Sequence, residues 1–342
     1  MSDSGRVRPR HARQARFQQI GDEGQRNIAK STAAIVGLGA LGSVSAETLA
    51  RAGVGTLIFI DRDVVEETNL QRQVLYTESD VAEALPKAEA ARRAIVKIDS
   101  TLKIHAAVED LSPANIDRLL SNADVIVDGT DNFATRYLMN DFAVANDKPW
   151  IYGAAVSSSG FVMTVQPNKS ACLCCVFPEP PPPEETPTCE TAGIVASASG
   201  MVALAQSMEA LKILSGRADH TISGLQHFDP WMGMYRILQC ERDPNCSCCV
   251  RGDRAWLRGE RSNATVTLCG RNSVQVGAAQ PVKLDLAAIA KKVPNVISIN
   301  SFSLRFSAEE HTIILFPDGR AIISDTADPA AARTLYSRYI GN

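Results

Sequence analysis

The sequence predicts an α/β protein with a doubly wound, mostly parallel sheet and a small C-terminal α+β domain. Between residues 30 and 150, short apolar runs alternate with segments of helical spacing, which is typical of a parallel sheet covered by helices on both faces. Beyond about residue 251 the pattern changes to short strands separated by turn signals, which indicates a second, smaller core. We therefore expect an N-terminal helical arm at 1–30, a large domain at 31–255 and a small domain at 256–342.

Five apolar runs predict the parallel strands, at 32–36, 56–60, 103–107, 125–127 and 150–152. Helical spacing at 43–52 and 87–98 separates the first three of them. A further strand at 160–166 precedes a proline-dense stretch at 178–187, which we expect to be an exposed loop because proline lacks the N–H that helices and central strands require. The uncharged stretch at 192–208 contains three serines and a glutamine, so it predicts a buried helix and not a membrane span.

The rest of the chain predicts short strands and two helices. Strand pieces at 226–229 and 234–240 close the large domain. The small domain is predicted to contain strands at 265–269, 303–306, 312–316 and 321–324 and helices at 285–293 and 329–339. Pro317-Asp318-Gly319 predicts a hairpin turn between the last two strands, since proline fixes φ and glycine accepts a positive φ.

Charge and cysteine content exclude several classes of protein. The 35 basic and 38 acidic side chains give a net charge of -3, too close to neutral to attract the chain to nucleic acid or to an anionic membrane. The arginines near the N-terminus are not followed by an apolar segment, which argues against a secretory signal. Nine cysteines, most of them in two short clusters, fit a metal site in a reducing compartment better than a disulfide framework, so we expect a cytoplasmic protein.

A glycine-rich loop predicts a nucleotide site. The segment Gly37-Leu38-Gly39-Ala40-Leu41-Gly42 directly follows the first strand and opens a helix. In this Rossmann-like context, small residues let the backbone approach a phosphate chain at the positive end of the helix. Asp61, at the end of the next strand, is placed to accept hydrogen bonds from ribose hydroxyls.

The polar segment at 61–73 and two later residues indicate a ligand with more charge than NAD. ATP requires cations at its phosphate oxygens and a carboxylate that holds a divalent metal. Arg72 and Lys87 are candidate cations, and Asp131 is the candidate ligand of Mg²⁺. Each also has an ordinary structural explanation, because Arg and Lys are usually solvated and Asp131-Asn132 fits the cap of a following helix.

Seven short segments together match the pattern of one protein family, namely Arg10-His11-Ala12-Arg13-Gln14, Gly24-Gln25, the loop at 37–42, Asp61-Arg62-Asp63, the segment at 69–73, Pro86-Lys87-Ala88 and Gly129-Thr130-Asp131-Asn132. With them the chain resembles the MoeB/ThiF/HesA family, bacterial relatives of ubiquitin-activating enzymes, from about residue 10 to residue 249. The resemblance implies a homodimer that uses ATP to adenylylate the C-terminal glycine of a ubiquitin-like sulfur-carrier protein ending in Gly-Gly. Such a reaction serves sulfur transfer in the synthesis of thiamine or the molybdenum cofactor.

The resemblance also implies a role for each matching residue. Asp61 would contact the ribose, and Asp131 would hold Mg²⁺. Arg72 and Lys87 would contact the phosphates, joined by Arg13 from the neighbouring subunit. The whole set expected at the nucleotide is Gly37, Gly39, Ala40, Leu41, Gly42, Asp61, Asp63, Asn69, Arg72, Gln73, Lys87, Asp131 and Asn132.

Two positions depart from the family pattern. Ala84 stands where the family commonly has a glycine, three residues before Lys87, and alanine restricts the loop that positions this lysine more than glycine does. His11 stands where an aromatic residue is usual.

Two C-x-x-C pairs predict a structural zinc site. Cys172, Cys175, Cys246 and Cys249 supply four thiolates for tetrahedral Zn²⁺, with no open coordination position. Cys174 and Cys248 leave the choice of the four ligands open. Each is either an additional thiol that binds no zinc or a ligand in place of a neighbouring cysteine. A group of reduced thiols without metal is the alternative.

Cys189, at the end of the proline-rich loop, coincides with the loop cysteine of the family. In some members this thiol forms a covalent conjugate with the activated carrier or takes part in sulfur transfer, so Cys189 is a candidate nucleophile, against an ordinary exposed cysteine. Some relatives carry a C-terminal rhodanese domain, but the residues around Cys269 do not match a rhodanese active-site loop. The candidate roles of the C-terminal domain are therefore docking of a partner and support of a dimer.

Two other functions use some of the same residues. An NAD-dependent oxidoreductase with structural zinc would use the glycine loop and Asp61, but it leaves Arg72, Lys87 and Asp131 unexplained. A binding scaffold without turnover would have the same fold, and the charged residues argue against it.

Overall fold

The computed structural model describes residues 7–182, 188, 191–261, 273–277 and 282–341. The chain divides into two compact units, and the second is discontinuous in sequence. The first unit contains the residues up to 63 together with 68–76 and 87–261, and the second contains 64–67, 77–86 and the residues from 262 onward. The division into three segments that the sequence suggests stays a prediction.

The first unit contains one eight-stranded sheet, whose strands are β1 (Thr32–Val36), β2 (Thr56–Ile60), β3 (Lys103–Ala107), β4 (Val125–Asp128), β5 (Trp150–Val156), β6 (Ser159–Val165), β7 (Leu225–Asp229) and β8 (Met234–Leu238). Their order is β3-β2-β1-β4-β5-β6-β7-β8. The first five in this order are parallel, and the last three are added antiparallel. The predicted α/β class with a mostly parallel sheet is confirmed.

Helices numbered in chain order are α1 (Ala12–Ala15), α2 (Gly21–Lys30), α3 (Ala40–Ala52), α4 (Glu78–Ala82), α5 (Lys87–Ile98), α6 (Ile116–Leu120), α7 (Phe133–Ala145), α8 (Leu173–Val176) and α9 (Ala196–Leu214). All except α4 belong to the first unit. The helix predicted at 43–52 begins three residues earlier, and the helix predicted at 192–208 is shifted toward the C-terminus. No helix in the described part of the chain has the length and apolar character that crossing a membrane requires.

Burial on both faces explains why the central strands are uninterrupted apolar runs. Ile35, Phe59 and Trp150 are fully buried, and each such side chain stabilises the fold by ~1.5–3 kcal/mol. Helix α9 packs against α3, β5 and β6. It approaches β6 closely because Gly160 has no side chain, since a Cβ there would lie 2.4 Å from Cγ2 of Val202.

The strand order reverses direction at β1. From β1 the chain continues to β2 and β3 on one side, and it then crosses to β4 on the other side of β1. In doubly wound sheets, ligands bind at such a switch point, outside the carboxyl ends of the strands. The loops after β1 and β4 therefore define where a site is expected.

The N-terminal segment is anchored to the ends of α3 and α5. Arg8 and Arg10 form ion pairs with the buried Asp99, at 2.7 and 2.6 Å. The ring of His11 is buried against Gly53, where a Cβ would lie 2.4 Å from it. A histidine is therefore accommodated at the position where the family pattern has another aromatic residue.

The second unit contains a five-stranded antiparallel sheet with the strands β9 (Ser273–Val276), β10 (Val296–Ile299), β11 (Leu304–Ala308), β12 (His311–Leu315) and β13 (Ala321–Ser324) and the helices α10 (Leu286–Ala290) and α11 (Pro329–Tyr339). The strand order is β10-β11-β12-β13-β9. The predicted strands at 303–306, 312–316 and 321–324, the hairpin turn and the last helix are confirmed, whereas β9 and β10 were not predicted. The strand predicted at 265–269 lies outside the described residues.

Two short segments from early in the sequence belong to this second unit. Val65 donates its N–H to the carbonyl of Leu85 at 2.9 Å. The Nδ2 of Asn300 donates to the carbonyl of Glu83 at 2.9 Å, and the hydroxyl of Ser303 donates to the carbonyl of Ala84 at 3.2 Å. The second unit thus joins segments that are more than two hundred residues apart, at separations of 217 and 219.

Ala84 is held in the left-handed region, with φ +48°. This conformation costs an alanine ~1–2 kcal/mol and costs glycine little, which explains physically why a glycine suits this position.

We expect Ala84→Gly to raise the free energy of unfolding by up to ~1 kcal/mol, because relief of backbone strain exceeds the added entropy of the unfolded chain. Ala331→Gly, in α11, is the matched control and should lower it by ~1 kcal/mol. Urea denaturation of both variants measures the difference. Equal losses in the two variants would show that Ala84 carries no strain.

Candidate nucleotide site and cysteine cluster

Three glycines bring the carboxyl ends of β1 and β4 into contact. The N–H of Gly129 donates to the carbonyl of Val36 at 2.7 Å. A Cβ at Gly129 would lie 2.2 Å from the carbonyl oxygen of Gly37, and a Cβ at Gly42 would lie 1.8 Å from the same oxygen. Gly37 itself has φ +81°, and a Cβ there would lie 2.6 Å from the backbone of Gly129. No side chain fits at these positions unless the backbone moves.

Gly39 differs from these glycines because the space beside it is open. A Cβ there would have its nearest neighbour, Nε2 of Gln73, at an ordinary contact distance of 3.8 Å. Gly39 also precedes α3, a helix of 13 residues that no side chain caps and whose first turn contains no acidic residue. The positive end of α3 therefore faces a position where an anion is favoured.

Asp61 is fixed at the end of β2 by the backbone around it. Its Oδ2 accepts the N–H of Leu38 at 2.6 Å, and its Oδ1 accepts the N–H of Asp63 at 2.7 Å. Burial raises the pKa of this carboxyl, while the charge of Lys87 and the two N–H groups act in the opposite direction. Each carboxylate oxygen retains a lone pair that can accept a hydrogen bond from a ribose hydroxyl.

Lys87 places a buried cation close to Asp61. Its Nζ lies 3.2 Å from Oδ2 of Asp63, and its side chain is only 3% exposed. The N–H of Lys87 donates to the carbonyl of Asp63 at 2.8 Å, at the start of α5. Because both ends of the lysine are held, its ammonium group has a defined position for a phosphate oxygen.

The segment after residue 68 contributes two buried amides and one cation. The N–H groups of Arg72 and Gln73 both donate to the carbonyl of Asn69 at 3.0 Å, and Asn69 and Gln73 are buried. The half-exposed Arg72 donates through Nη1 to the carbonyl of Thr68 at 2.7 Å. Among the described residues, Oε1 of Gln73 has no hydrogen-bond partner. A buried acceptor left unsatisfied costs ~1–3 kcal/mol. The atom of the same amide that lies beside the open space at Gly39 is Nε2, which can donate to an acceptor atom of a ligand.

The end of β4 supplies an exposed carboxylate and a helix cap. Asn132 Oδ1 accepts the N–H of Thr135 at 2.9 Å, which confirms the capping interpretation for this residue. Asp131, one residue earlier, is exposed, and no described residue forms an ion pair with it. Asp131 is thus available to a cation, and a contact of Asn132 with the nucleotide stays a prediction.

A buried ion pair that the sequence analysis missed supports this loop. Arg136 Nε lies 3.1 Å from Oδ2 of the fully buried Asp128, and Arg136 Nη2 donates to the carbonyls of Thr130 and Gly153 at 2.7 and 3.0 Å. Gln206 of α9 donates to the carbonyl of Asp128 at 2.8 Å. The loop that carries Asp131 is therefore fixed from α7, β5 and α9. In the sequence, the one sign of this ion pair is that Arg136 is the single charged residue in the first part of α7.

Arg13 lies apart from these residues within one chain. It is exposed on α1, next to Gln14, which donates to Gln25 at 2.8 Å and to the carbonyl of Ala52 at 3.0 Å. No hydrogen bond or ion pair joins Arg13 to the nucleotide-site residues in the described part of the chain. Short distances within one chain thus join the glycine loop with Asp61 and Gln73, and Asp63 with Lys87. Among the residues that the structure describes, they do not join Arg13 to this group.

The four cysteines predicted to bind zinc are brought together. The Sγ atoms of Cys172, Cys175, Cys246 and Cys249 all lie within 4.8 Å of one another. Their closest separations are 3.6 Å for Cys172 and Cys246, 3.8 Å for Cys172 and Cys175, and 3.5 Å for Cys175 and Cys249. A tetrahedron with Zn–S bonds of ~2.3 Å has edges of about 3.8 Å, so the described sulfur atoms fit a zinc ion.

Comparison with known proteins identifies the family. The sequence profile of the ThiF family matches residues 11–248. The chain is 39% identical over 338 residues to the sulfur carrier protein ThiS adenylyltransferase of Bacillus subtilis, covering 97% of this chain and 99% of that protein. The chain belongs to the ThiF family. It is also 36% identical over 254 residues to the sulfur carrier protein adenylyltransferase of Thermus thermophilus, covering 73% of this chain and 92% of the relative.

A solved structure supports the fold of this ThiF-family chain. Escherichia coli MccB, in a crystal structure with ATP, superposes with a TM-score of 0.62 at 20% identity, covering 71% of this chain and 74% of MccB. At this identity the likeness concerns the fold alone. The predicted family and fold class are confirmed, and Cys189 lies outside the described residues of this ThiF-family chain.

Arg136→Met should lower the free energy of unfolding by ~3–5 kcal/mol, because it leaves Asp128 as an uncompensated buried charge. Arg93→Met, which removes a half-exposed ion pair with Glu89, is the control and should cost less than ~1 kcal/mol. Chemical denaturation compares the two variants. In the double variant Asp128→Asn/Arg136→Met, the loss should be smaller than the sum of the single losses, and simple additivity would contradict the proposed pairing.

Proposed function

We propose that this ThiF-family chain is an ATP-dependent adenylyltransferase that activates the C-terminal glycine of a ubiquitin-like sulfur-carrier protein. The proposal rests on three groups at one edge of the sheet. They are the uncapped start of α3, the carboxylate of Asp61, which can accept hydrogen bonds from a ribose, and the buried cation of Lys87. The names of the relatives supply the class of substrate, and the relative that aligns along nearly the whole chain acts on ThiS. A carrier of the ThiS type is therefore the first candidate.

The site residues account for the chemistry of such a reaction. A carboxylate oxygen of the carrier attacks the α-phosphorus of ATP, and the bond from that phosphorus to the oxygen of the β-phosphate breaks, releasing pyrophosphate. The carboxylate is already ionised at neutral pH, so no general base is needed. The start of α3, Lys87 and Arg72 neutralise charge on the phosphates, and Asp61 orients the ribose. Asp131 would hold Mg²⁺, which adds positive charge at the same oxygens.

The two other functions considered from the sequence are not favoured. An NAD-dependent oxidoreductase does not require a buried lysine such as Lys87 or an exposed carboxylate such as Asp131 near the phosphates of its cofactor. A scaffold without turnover is not favoured by the names of the relatives. The relatives named above are adenylyltransferases.

We also propose that Cys172, Cys175, Cys246 and Cys249 hold a structural zinc ion. The separations of their sulfur atoms support the proposal, and four thiolates leave no open position for catalysis. Because the described cysteines are free thiols, a reducing compartment such as the cytoplasm suits the protein. A covalent role of Cys189 stays a prediction from the sequence.

A homodimer is the third part of the proposal. Helix α9 exposes three apolar side chains on one face, Met201, Leu204 and Met208, at exposures of 39%, 53% and 52%. Apolar residues at such spacing favour contact with another protein surface. In a dimer, Arg13 of one subunit would reach the phosphates bound by the other, as the resemblance implies.

Lys87→Met should slow carrier-dependent exchange between ATP and labelled pyrophosphate by ~10²–10³-fold, because a preorganised cation is lost from the phosphates. Lys97→Met removes an exposed lysine from the same helix and should leave the rate unchanged. The carrier is a ThiS-type protein ending in Gly-Gly, compared with the same carrier lacking its last residue. The proposed function would be overturned if the full and the truncated carrier gave equal exchange rates, or if the protein bound NAD and catalysed no exchange.

Mixed dimers test the role of Arg13. In a dimer that combines one Arg13→Ala subunit with one Asp131→Asn subunit, one of the two sites is intact if Arg13 acts on the partner's phosphates. We expect each variant alone to be nearly inactive and the purified mixed dimer to regain about half of the wild-type exchange activity. A mixed dimer as inactive as its parents would place Arg13 in its own subunit's site or in a structural role.

A further inference from the structure

A second group of cysteines lies beside the four proposed zinc ligands. The Sγ atoms of Cys172, Cys174 and Cys248 also lie within 4.8 Å of one another, and all three residues are buried. Cys172 belongs to both groups. The C-x-x-C pattern of the sequence does not account for Cys174 and Cys248, which it leaves as spare thiols.

A buried amide is oriented toward these two sulfur atoms. Asn140 of α7 is fully buried, and its Nδ2 lies 3.1 Å from Sγ of Cys248 and 3.6 Å from Sγ of Cys174. Its Oδ1 accepts the N–H of Leu173 at 2.9 Å. Because a backbone N–H only donates, this bond fixes the oxygen on the side of Leu173 and points the NH₂ group at the sulfurs. Both sulfur atoms are thus placed as acceptors.

Charged groups complete the surroundings of Cys248. Arg254 Nη1 donates to its Sγ at 3.3 Å. The Sγ of Cys248 donates to Oδ1 of Asp141 at 3.4 Å, and Asp141 Oδ2 accepts the N–H groups of Trp256 and Leu257 at 3.1 and 3.3 Å.

We propose that Cys172, Cys174 and Cys248 bind a second thiophilic metal ion, with zinc as the expected ion. Cys172 would then bridge the two ions through its sulfur. Three thiolates favour soft cations, and the hydrogen bonds from Asn140 and Arg254 act on the ligand sulfurs in the way that outer partners of metal ligands usually do.

The charges at the cluster are nearly balanced when two ions are bound. Six thiolates and one carboxylate carry seven negative charges, and two zinc ions neutralise four of them. Arg254 and Arg242, which donates to the carbonyl of Cys249 at 2.8 Å, bring two positive charges to the same region. With two zinc ions the remaining charge is about one negative unit, so Cys174 and Cys248 can be thiolates there without a large uncompensated charge.

The alternative is that Cys174 and Cys248 are neutral thiols that fill the core. Neutral thiols would also be buried and would contact the same amide. The two possibilities differ in the number of metal ions that each chain holds.

The test is the zinc content of the full-length protein, equilibrated with Zn²⁺ and then desalted, by mass spectrometry of the elements. We expect two zinc ions per chain in the wild type and one in the double variant Cys174→Ala/Cys248→Val, which keeps the four ligands of the first site. Cys240→Ser is the matched control, because Cys240 belongs to neither group, and it should retain two ions. One ion per chain in the wild type, or two in the double variant, overturns the proposal.

A second measurement is independent of whether the variant folds. Wild-type protein loaded with ¹¹³Cd²⁺ should give two cadmium resonances in the NMR spectrum, one from four sulfur ligands and one from a site with fewer sulfur ligands. A single resonance at one equivalent, with no further binding when more cadmium is added, would show that only the first site exists. Neither measurement depends on adenylyltransferase activity, so this proposal fails separately from the proposed function.

Discussion

The contact between the backbones of Gly37 and Gly129 is the constraint on which the nucleotide site depends. It lets the loops after β1 and β4 meet at the point where the strand order reverses. Gly42 packs on the same carbonyl oxygen, so the first turn of α3 is fixed to both strands. Side chains at these positions would separate the start of α3 from the loop of Asp131, and these two groups, which we propose to hold the phosphates and Mg²⁺, would no longer lie together.

Helix α7 connects this site with the cysteine cluster. Arg136 and Asn140 are one helical turn apart on its buried face. Arg136 holds the carbonyls of the β4 and β5 region, and Asn140 orients the sulfur atoms of Cys174 and Cys248. Both side chains have polar partners, Arg136 in the neighbouring loop and strand and Asn140 in segments 33 to 108 residues away. These partners explain why a buried arginine and a buried asparagine are stable there. One rigid element thus positions groups in two chemically different places.

The sequence predicted the parallel strands and the residues at their carboxyl ends because apolar runs, glycines and charges are local signals. β1 and β2 have the bounds expected from their apolar runs, and the four C-x-x-C cysteines meet as their spacing indicates. The pairing of Asp128 with Arg136 was not predicted, since it depends on the turn that the chain makes between β4 and α7. The second group of cysteines was not predicted because it depends on contacts between distant segments. The strands β9 and β10 were not predicted because their local signals are weak. β10 carries exposed apolar residues without regular alternation of burial, and β9 has only four residues.

The discontinuity of the second unit has a consequence for how the protein folds and how it can be divided. Residues 64–67 and 77–86 are synthesised early, yet Asn300 and Ser303, which donate to the carbonyls of Glu83 and Ala84, follow more than two hundred residues later. The second core therefore cannot form on the ribosome until the chain is almost complete. A shortened chain without the C-terminal segment would leave the carbonyls of Glu83 and Ala84 without the side chains of Asn300 and Ser303 that donate to them. The C-terminal segment is accordingly needed to complete the second unit, although the hydrophobic core of that unit lies within residues 274–340.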